Sequence, residues 1–326
     1  MKIGTIGTGS IVELFIAAAR QHDNCEIAAC YSRKQKTGEE FATKLNIAKI
    51  YTDMDMMFQD SEIDFIYVAS PNSLHYLQSK KALLAGKNVI CEKPFTSTVE
   101  ELDDLIQIAK EKGLYLFEAI IPIHLPNFKW LKQHVHEVGD LKMIQCNFSQ
   151  YSSRYDAFKR GENPNVFNAE FSGGALMDIN LYNIHFTMGL FGIPKSVHYF
   201  ANIENGIDTS GTVILDYGSF KSTCVGAKDS KSKNMNQIQG DKGYFIVDQE
   251  SSRCVVIESH TKKRQTFTSF QDNPNGMYYE IQDFLDIVAK KDYQACYDLL
   301  AYSKQVLEVV VAARQDANIV FVADQK

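Results

Sequence analysis

The first third of the sequence alternates short apolar runs with helical segments, and this alternation restricts the possible folds more than any other feature. The first run spans residues 2–7 and leads through a glycine turn into a helical pattern that continues to residue 20. Similar runs recur at 26–31, 64–70, 88–91 and 115–118, with helical patterns at 37–45, 73–85 and 98–112. Strands that alternate with helices in this way predict a parallel, doubly wound α/β sheet.

The turn after the first run has the composition of a phosphate-binding loop. Gly7 suits a tight turn, and Gly9 would let the backbone approach a pyrophosphate at the N-terminus of the next helix. Val12 stands where the full G-x-G-x-x-G pattern has a third small residue, and glycines in such turns often need no ligand. The strand–turn–helix context nevertheless predicts a dinucleotide site with contacts from Gly7, Thr8, Gly9, Ser10 and Ile11.

The end of the second strand indicates which dinucleotide is bound. NAD-binding folds place an acidic residue here for the ribose hydroxyls, whereas this chain has Ser32, Arg33 and Lys34. A hydroxyl and two cations suit a 2′-phosphate, because arginine binds phosphate in a bidentate fashion. The alternative interpretation is a solvated basic loop. We predict that Ser32 and Arg33 bind NADP(H), with NAD(H) as the other possible cofactor.

Two further strands end in polar turns. Ser70, Pro71 and Asn72 follow the strand at 64–70 and open a helix that carries His75. Turn and capping chemistry alone explains these residue types, and His75 could equally be a buried structural histidine. Because ligands bind at the carboxyl ends of parallel strands, we also predict that all four contact the nicotinamide end of the cofactor.

The strand at 88–91 runs directly into Glu92, Lys93 and Pro94. Such a charged strand tip points at the ligand-binding crevice of an open α/β sheet, and Pro94 disfavours a helical backbone at Lys93. An isolated Glu–Lys pair at a strand end is otherwise a common surface feature. We predict that Lys93 contacts both cofactor and substrate, and that Glu92 lies beside the cofactor and fixes the local structure.

The composition limits the classes of function. The 326 residues suffice for two domains, and 45% hydrophobic with 23% charged residues is typical of soluble globular proteins. The net charge of −6 argues against non-specific binding of nucleic acids or anionic membranes. Seven cysteines without a C-x-x-C pair argue for a reducing compartment and against a zinc site. We expect a cytoplasmic protein with no metal, nucleic-acid partner or membrane segment.

The second half has a different pattern, and we place the domain boundary between residues 120 and 121. A helix at 126–138 and a strand at 141–151 precede a stretch without periodicity at 152–172, which is either a binding loop or a surface excursion. Strand patterns from 196 to 268 predict a large, mostly antiparallel sheet, which makes this domain α+β. We expect the last helix, 299–317, to pack back on the first domain.

The segment 173–192 predicts a helix with three polar residues on one face. Asp178, Tyr182 and His185 stand at i, i+4 and i+7 among apolar neighbours, so they need partners or a cavity. Polar residues buried in a core are the alternative interpretation. Given Lys93 and the nucleotide turn, we predict that all three bind substrate.

Together these motifs resemble the Gfo/Idh/MocA oxidoreductases over the whole chain. The resemblance rests on Gly7-x-Gly9, Ser70-Pro71-Asn72-x-x-His75, Glu92-Lys93-Pro94, Glu118-Ala119 and Gly173-Gly174-Ala175-Leu176-Met177-Asp178 with Tyr182. It is closest to the branch of dihydrodiol dehydrogenase and glucose–fructose oxidoreductase. It implies an N-terminal Rossmann domain and a homodimer formed through the C-terminal sheet. One departure is the run Ile120-Ile121-Pro122-Ile123-His124, where that branch has an arginine and aromatic residues.

These residues suggest reversible hydride transfer between NADP(H) and a secondary alcohol or carbonyl of a sugar, polyol or cyclic diol. Tyr182 is the candidate acid/base, and because a free phenol ionises near pH 10 it needs a neighbouring cation, which Lys93 could supply. Asp178 would orient the lysine or a substrate hydroxyl. A non-catalytic sugar- or nucleotide-binding regulator and a hydride-dependent glycosidase are the alternative functions.

Overall fold

The computed structural model of the chain describes residues 1–261 and 264–325, which form two compact units. The first contains Met1–Ala119 and Met277–Lys304, and the second contains Ile120–Gly276 and the chain from Gln305 onward. The first break lies one residue before the predicted boundary. The sequence assigned all of 121–326 to the second domain, whereas Met277–Lys304 belongs to the first unit because its apolar side chains complete that core.

The first unit is built on a six-stranded parallel sheet with the order β3-β2-β1-β4-β5-β6. The predicted doubly wound fold is therefore confirmed. The chain crosses from β1–β3 on one side to β4–β6 on the other, so the ends of β1 and β4 flank the switch point where such sheets bind ligands. The strands are β1 Lys2–Ile6, β2 Glu26–Tyr31, β3 Lys49–Tyr51, β4 Phe65–Val68, β5 Asn88–Glu92 and β6 Leu116–Ala119.

The second unit contains an eight-stranded sheet with the order β14-β13-β12-β11-β7-β10-β9-β8. Its strands are β7 Leu141–Ser149, β8 Ser196–Glu204, β9 Ile207–Asp216, β10 Lys221–Ala227, β11 Met235–Gly240, β12 Gly243–Asp248, β13 Ile257–Thr261 and β14 Arg264–Thr268. The predicted antiparallel pairing holds for every neighbour except β7 and β10, which are parallel. The parallel β7–β10 pair thus joins two antiparallel groups, and both of its strands lie in the interior of the sheet.

Helices pack against each sheet. Their bounds are α1 Ser10–Ala19, α2 Gln35–Leu45, α3 Met54–Gln59, α4 His75–Leu84, α5 Val99–Lys112, α6 Pro126–His134, α7 Tyr155–Lys159, α8 Leu181–Phe191, α9 Met277–Lys290 and α10 Tyr293–Asp316. α5 shows how local sequence sets such ends: the Thr98 side chain accepts a hydrogen bond from the Glu101 N–H at 3.2 Å, and Gly113 ends the helix with φ of +62°. No helix in the described part of the chain is both long and apolar enough to cross a membrane.

Aromatic stacking joins the helices of the first unit to its sheet. Phe15 of α1 stacks on Tyr67 of β4 with ring centroids 3.7 Å apart, and Phe284 of α9 stacks on Phe117 of β6 at 4.4 Å. All four rings are almost completely buried. Burying an aromatic side chain stabilises a fold by about 1.5–3 kcal/mol, so α9 is an integral part of the first unit.

Candidate active site

The glycine turn after β1 has the geometry that a pyrophosphate requires. Gly7 has φ of +121°, and a Cβ there would lie 2.5 Å from the Ala69 carbonyl oxygen at the end of β4, so only glycine fits. Gly9 is the exposed N-cap of α1, has no side-chain cap and has open space where a Cβ would stand. The first N–H groups of α1 are therefore available to an anion.

The other residues predicted at this turn surround the helix start. Thr8 and Ile11 are partly exposed and Ser10 is exposed, which fits contacts with a bound dinucleotide. Val12 is fully buried, and its Cγ2 would be 3.3 Å from a Gly7 Cβ. The larger third residue of the motif is thus accommodated in the packing of α1.

Ser32 and Arg33, in the basic turn after β2, differ in exposure and in role. The buried Ser32 hydroxyl donates to the Lys34 carbonyl oxygen at 3.1 Å and accepts from the Lys34 N–H at 3.4 Å, so it shapes the turn. Arg33 is exposed, where its guanidinium can reach a ligand. Their contacts with a 2′-phosphate stay predictions.

His75 connects two of the predicted site motifs. Its Nδ1 lies 2.9 Å from the Pro94 carbonyl oxygen and its Nε2 lies 2.9 Å from the Ser70 carbonyl oxygen. Burial lowers the pKa of His75, although the two carbonyls oppose this effect. The neutral ring donates to only one of them. Pro71 and Asn72 lie partly exposed on the same turn, whereas His75 is 1% exposed and so supports the turn from behind.

Glu92 and Lys93 form the tip of β5 and differ in exposure. The buried Glu92 carboxylate accepts a hydrogen bond from the Tyr67 hydroxyl at 2.5 Å, and burial raises its pKa. Lys93 is partly exposed, and its peptide bond to Pro94 is cis. Because β5 lies beside β4, and β4 beside β1, this tip lies on the same edge of the sheet as the glycine turn.

In the second unit, two glycines and a buried aspartate shape the start of the predicted site helix. A Cβ on Gly173 would be 2.7 Å from the Asn165 carbonyl oxygen, and one on Gly174, where φ is +106°, would overlap a carboxylate oxygen of Asp208. That carboxylate accepts hydrogen bonds from the Leu176 N–H at 2.6 Å and the Tyr199 hydroxyl at 2.7 Å. The glycine pair therefore lets Asp208 reach the helix N-terminus.

The helix itself is not a regular α-helix. Leu176–Asn180 forms a π-helical turn, and α8 begins at Leu181. Such turns are rare and occur frequently at functional sites. Asp178 lies within the wide turn, so the i, i+4, i+7 spacing does not place the three polar residues on one regular α-helical face. Asp178 and Tyr182 are partly exposed, whereas His185 is 1% exposed.

A buried amide network fixes this helix on the sheet. The Asn180 amide donates to the Cys224 carbonyl oxygen at 2.9 Å, and the Asn183 amide donates to the Asn180 side chain and to the Val225 carbonyl oxygen, both at 2.9 Å. Gly226 permits this approach, because a Cβ there would be 2.5 Å from the Asn180 Cβ. The network sets the position of Asp178 and Tyr182 relative to β10.

Asp178 has a partner that sequence reasoning missed. Its Oδ2 forms an ion pair with the Lys228 ammonium, which follows β10 directly. The Tyr182 ring lies 6.0 Å from the Phe148 ring between centroids. Burial, followed by repulsion from His124, lowers the pKa of His185 to about 3, so this histidine is neutral at neutral pH. The substrate-binding roles of Asp178, Tyr182 and His185 stay predictions, and the burial of His185 favours a structural role.

The predicted loop at 152–172 is also more ordered than its sequence suggests. It contains α7 and two 3-10 turns, Asn165–Phe167 and Ala169–Phe171. The rings of Phe158 and Phe167 stack with centroids 4.9 Å apart, and the Tyr155 hydroxyl donates to Glu204 at 2.7 Å.

Among the described residues, no group of three or more His, Cys, Asp or Glu side chains has the arrangement of a metal site.

Comparison with known proteins assigns the fold and these motifs to a family. Residues 1–119 match the Gfo/Idh/MocA model, described as an oxidoreductase family with an NAD-binding Rossmann fold. Residues 129–246 match the Gfo/Idh/MocA C-terminal domain. The chain therefore belongs to the Gfo/Idh/MocA oxidoreductase family, which confirms the resemblance seen in the sequence.

The individual relatives are similar over their full lengths. The NADP⁺-dependent scyllo-inositol 2-dehydrogenase IolU of Bacillus subtilis (strain 168) is 35% identical, with 100% of this chain and 99% of IolU covered. Mouse trans-1,2-dihydrobenzene-1,2-diol dehydrogenase is 25% identical over 100% of this chain and 99% of its own. The 3-ketoreductase KijD10 of Actinomadura kijaniata shares the fold, with a TM-score of 0.85 at 19% identity and 97% of each chain covered.

Proposed function

We propose that the protein transfers a hydride reversibly between NADP(H) and a secondary alcohol or carbonyl of a polyol, sugar or cyclic diol. The observation that carries this proposal is the position of Lys93 at the carboxyl edge of the parallel sheet, on the same edge as the glycine turn. The scyllo-inositol 2-dehydrogenase similarity supports the choice of NADP(H) and of a polyol. The exposed Arg33 after β2 supports NADP(H) independently.

In this mechanism the chain binds and orients the cofactor and the substrate, and it transfers one proton. The nicotinamide ring, when bound, supplies or accepts the hydride. Tyr182 exchanges the proton with the substrate oxygen, and the Lys93 ammonium favours the ionised phenol and binds the same oxygen. Asp178 accepts a hydrogen bond from a neighbouring substrate hydroxyl. Glu92 and His75 hold the backbone on either side of Lys93, and this role follows from their burial and their hydrogen bonds.

The test is the absorbance of NADPH across a panel of inositols, sugars, dicarbonyls and cyclic diols, with the variants Lys93→Met and Tyr182→Phe. Each variant should lower kcat by about 10²–10⁴-fold, the usual contribution of a positioned proton donor, and leave the Kd for NADPH nearly unchanged. Lys80→Met and Tyr217→Phe remove polar groups outside the predicted site, which are bonded to Asp104 and to the Gly192 carbonyl oxygen, and should leave turnover unchanged. Full turnover in both site variants would contradict the mechanism.

The same panel separates the alternatives. A regulator would bind NADPH and a sugar without turnover, and a hydride-dependent glycosidase would cleave glycosides without a net change in NADPH. Arg33→Ala should raise the KM for NADPH while leaving that for NADH unchanged. An equal effect on both cofactors would argue against a 2′-phosphate contact.

We also propose a homodimer through the open face of the eight-stranded sheet. Its outward side chains include Phe200, 69% exposed on β8, and Phe267, 66% exposed on β14. Exposed aromatic side chains on one sheet face are typical of interaction surfaces. Phe200→Asp should shift the protein towards a monomer in light scattering.

A cytoplasmic location is supported by the cysteines, all of which are buried and unpaired.

A further inference from the structure

We propose that Lys228 is a positioning residue that holds Asp178 ionised and oriented for a hydroxyl of a neutral polyol. This inference rests on the proposed function, because it takes Asp178 as a substrate contact. The Lys228 ammonium forms an ion pair with Asp178 Oδ2 across 50 residues of sequence. No motif of the sequence suggests this pairing.

Lys228 is fixed at both its backbone and its side chain. Its N–H donates to the Thr209 carbonyl oxygen at 2.8 Å, and its carbonyl oxygen accepts from the Ser152 N–H at 2.8 Å. The ammonium lies 4.7 Å from the centroid of the Phe167 ring and 3.5 Å from the Val166 carbonyl oxygen. Two backbone hydrogen bonds and two side-chain contacts thus hold Lys228 in place, which gives its ionic partner a defined position.

The two charged side chains differ in exposure, and this difference determines which of them a ligand can contact. The Lys228 side chain is 3% exposed, whereas that of Asp178 is 32% exposed. A buried ammonium requires a paired anion, so the carboxylate must stay ionised and in place. Asp178, the exposed member of the pair, is thus a hydrogen-bond acceptor whose negative charge is balanced by the buried Lys228 ammonium. Such a group binds neutral hydroxyl donors and disfavours carboxylate or phosphate groups at the same point.

Local bonds fix the Asp178 backbone, and Lys228 fixes its carboxylate. Asp178 lies within the π-helical turn, and its N–H donates to the Gly174 carbonyl oxygen at 3.1 Å. The amide network holds Asn180 and Asn183, further along the helix, against β10. The ion pair with Lys228 adds the orientation of the carboxylate itself.

A double-mutant cycle with Lys228→Met and Asp178→Asn tests the inference. Lys228→Met should lower kcat/KM for a vicinal polyol by about 100-fold, as a misplaced substrate contact does, and Lys228→Arg should recover most of that loss. A dicarbonyl without hydroxyl groups should be affected much less, and the Kd for NADPH should not change. In the Asp178→Asn background, Lys228→Met should have little further effect, because its partner is already neutral.

Lys221→Met is the matched control, since Lys221 begins the same strand and pairs with Asp216 at 2.7 Å. It should retain full activity on every substrate. If Lys228→Met does not fold, Lys228→Gln, which keeps a hydrogen-bond donor, takes its place in the cycle.

The outcomes separate this inference from the proposed function. Full activity of Asp178→Asn would contradict the role of Asp178 in the proposed function itself. A second outcome is that Asp178→Asn has reduced activity and that Lys228→Met lowers kcat/KM by the same factor in the wild-type and in the Asp178→Asn background. This outcome would overturn the role of Lys228 and leave the proposed function standing. An equal loss with polyols and the dicarbonyl would show a general structural effect and would also overturn the inference.

Discussion

In the first unit, three glutamates, Glu92, Glu118 and Glu280, are buried where β5, β6 and α9 meet, whereas Asp178 and Asp208 in the second unit face matched donors. Glu280 is fully buried, and neither of its carboxyl oxygens has a hydrogen-bond partner among the described residues. In contrast, Asp208 accepts from two donors, and Asp178 is paired with Lys228. Burial raises the pKa of Asp208 as it raises that of Glu280, but the Leu176 N–H and the Tyr199 hydroxyl oppose this effect by stabilising the Asp208 carboxylate.

Glu118 and Glu280 in the first unit and His185 in the second predict opposite responses to pH. Burial raises the pKa of Glu118 to about 7, and burial together with Glu92 and Glu118 raises that of Glu280. A folded-state pKa above the unfolded value means that stability falls as the pH rises through that window. For His185 the folded pKa is lowered from 6.5 to about 3, so the unfolded state takes up its proton first and stability falls as the pH drops below 6.5.

The largest expected effect tests whether the second unit depends on its matched donors. Gly174→Ala would drive a methyl group into the Asp208 carboxylate at a backbone φ of +106°. Displacing that carboxylate leaves the Leu176 N–H and the Tyr199 hydroxyl without their acceptor. We expect a loss of roughly 4 kcal/mol in the free energy of unfolding.

Urea unfolding monitored by Trp130 measures this loss, because Trp130 is the single tryptophan and belongs to the second unit. Gly206→Ala is the control, since Gly206 has φ of +79° with open space around a Cβ and therefore tests the backbone conformation alone. A loss of about 1 kcal/mol is expected there. Equal losses in the two variants would show that Asp208 is not critical.

The sequence predicted what local patterns determine. Five of the six strands of the first sheet and the motifs at Gly7, Ser70 and Lys93 were found because each depends on a few consecutive residues. β3 and α3 were missed because three and six residues carry too little periodicity. The parallel pairing of β7 with β10 was missed because it joins segments that are distant in sequence.

The second half of the candidate site shows the same limit. The double glycine was recognised as part of a motif, but its physical reason, Asp208, stands 32 residues after Leu176. Lys228 lies 50 residues from Asp178 and has no local signature. The π-helical turn also changes the geometry of a helix whose sequence fits a regular α-helix. Ion pairs and hydrogen bonds between residues that are distant in sequence cannot be assigned from the spacing of residues along the chain.

The second prediction isolates the acid sensitivity of the second unit. Between pH 6.5 and about 4.5 the wild-type protein should lose about 2–2.5 kcal/mol through His185, because each pH unit well below 6.5 contributes about 1.4 kcal/mol when only the unfolded state binds the proton, and the first pH unit contributes less. His185→Gln removes this titration and should flatten the profile of Trp130-monitored unfolding. His198→Gln changes a histidine whose side chain is 57% exposed and should leave the profile as in the wild type. An unchanged slope in His185→Gln would assign the acid sensitivity to other groups.

The smallest expected effect tests the first unit. Glu280→Gln removes a carboxyl group that has no described partner, so it should stabilise the protein by about 2 kcal/mol at pH 8, where the penalty of an unsatisfied buried group is largest. At pH 5 the gain should shrink, because the raised pKa means that the folded protein holds this proton more tightly than the unfolded chain. Hydrogen exchange of the β6 and α9 amides follows this unit, because Trp130 does not report on it. Asp286→Asn changes a carboxylate bonded to Gln282 on the same helix and should show no such pH dependence. A gain that is equal at both pH values would mean that Glu280 is not held protonated, and the contrast between the two units would disappear.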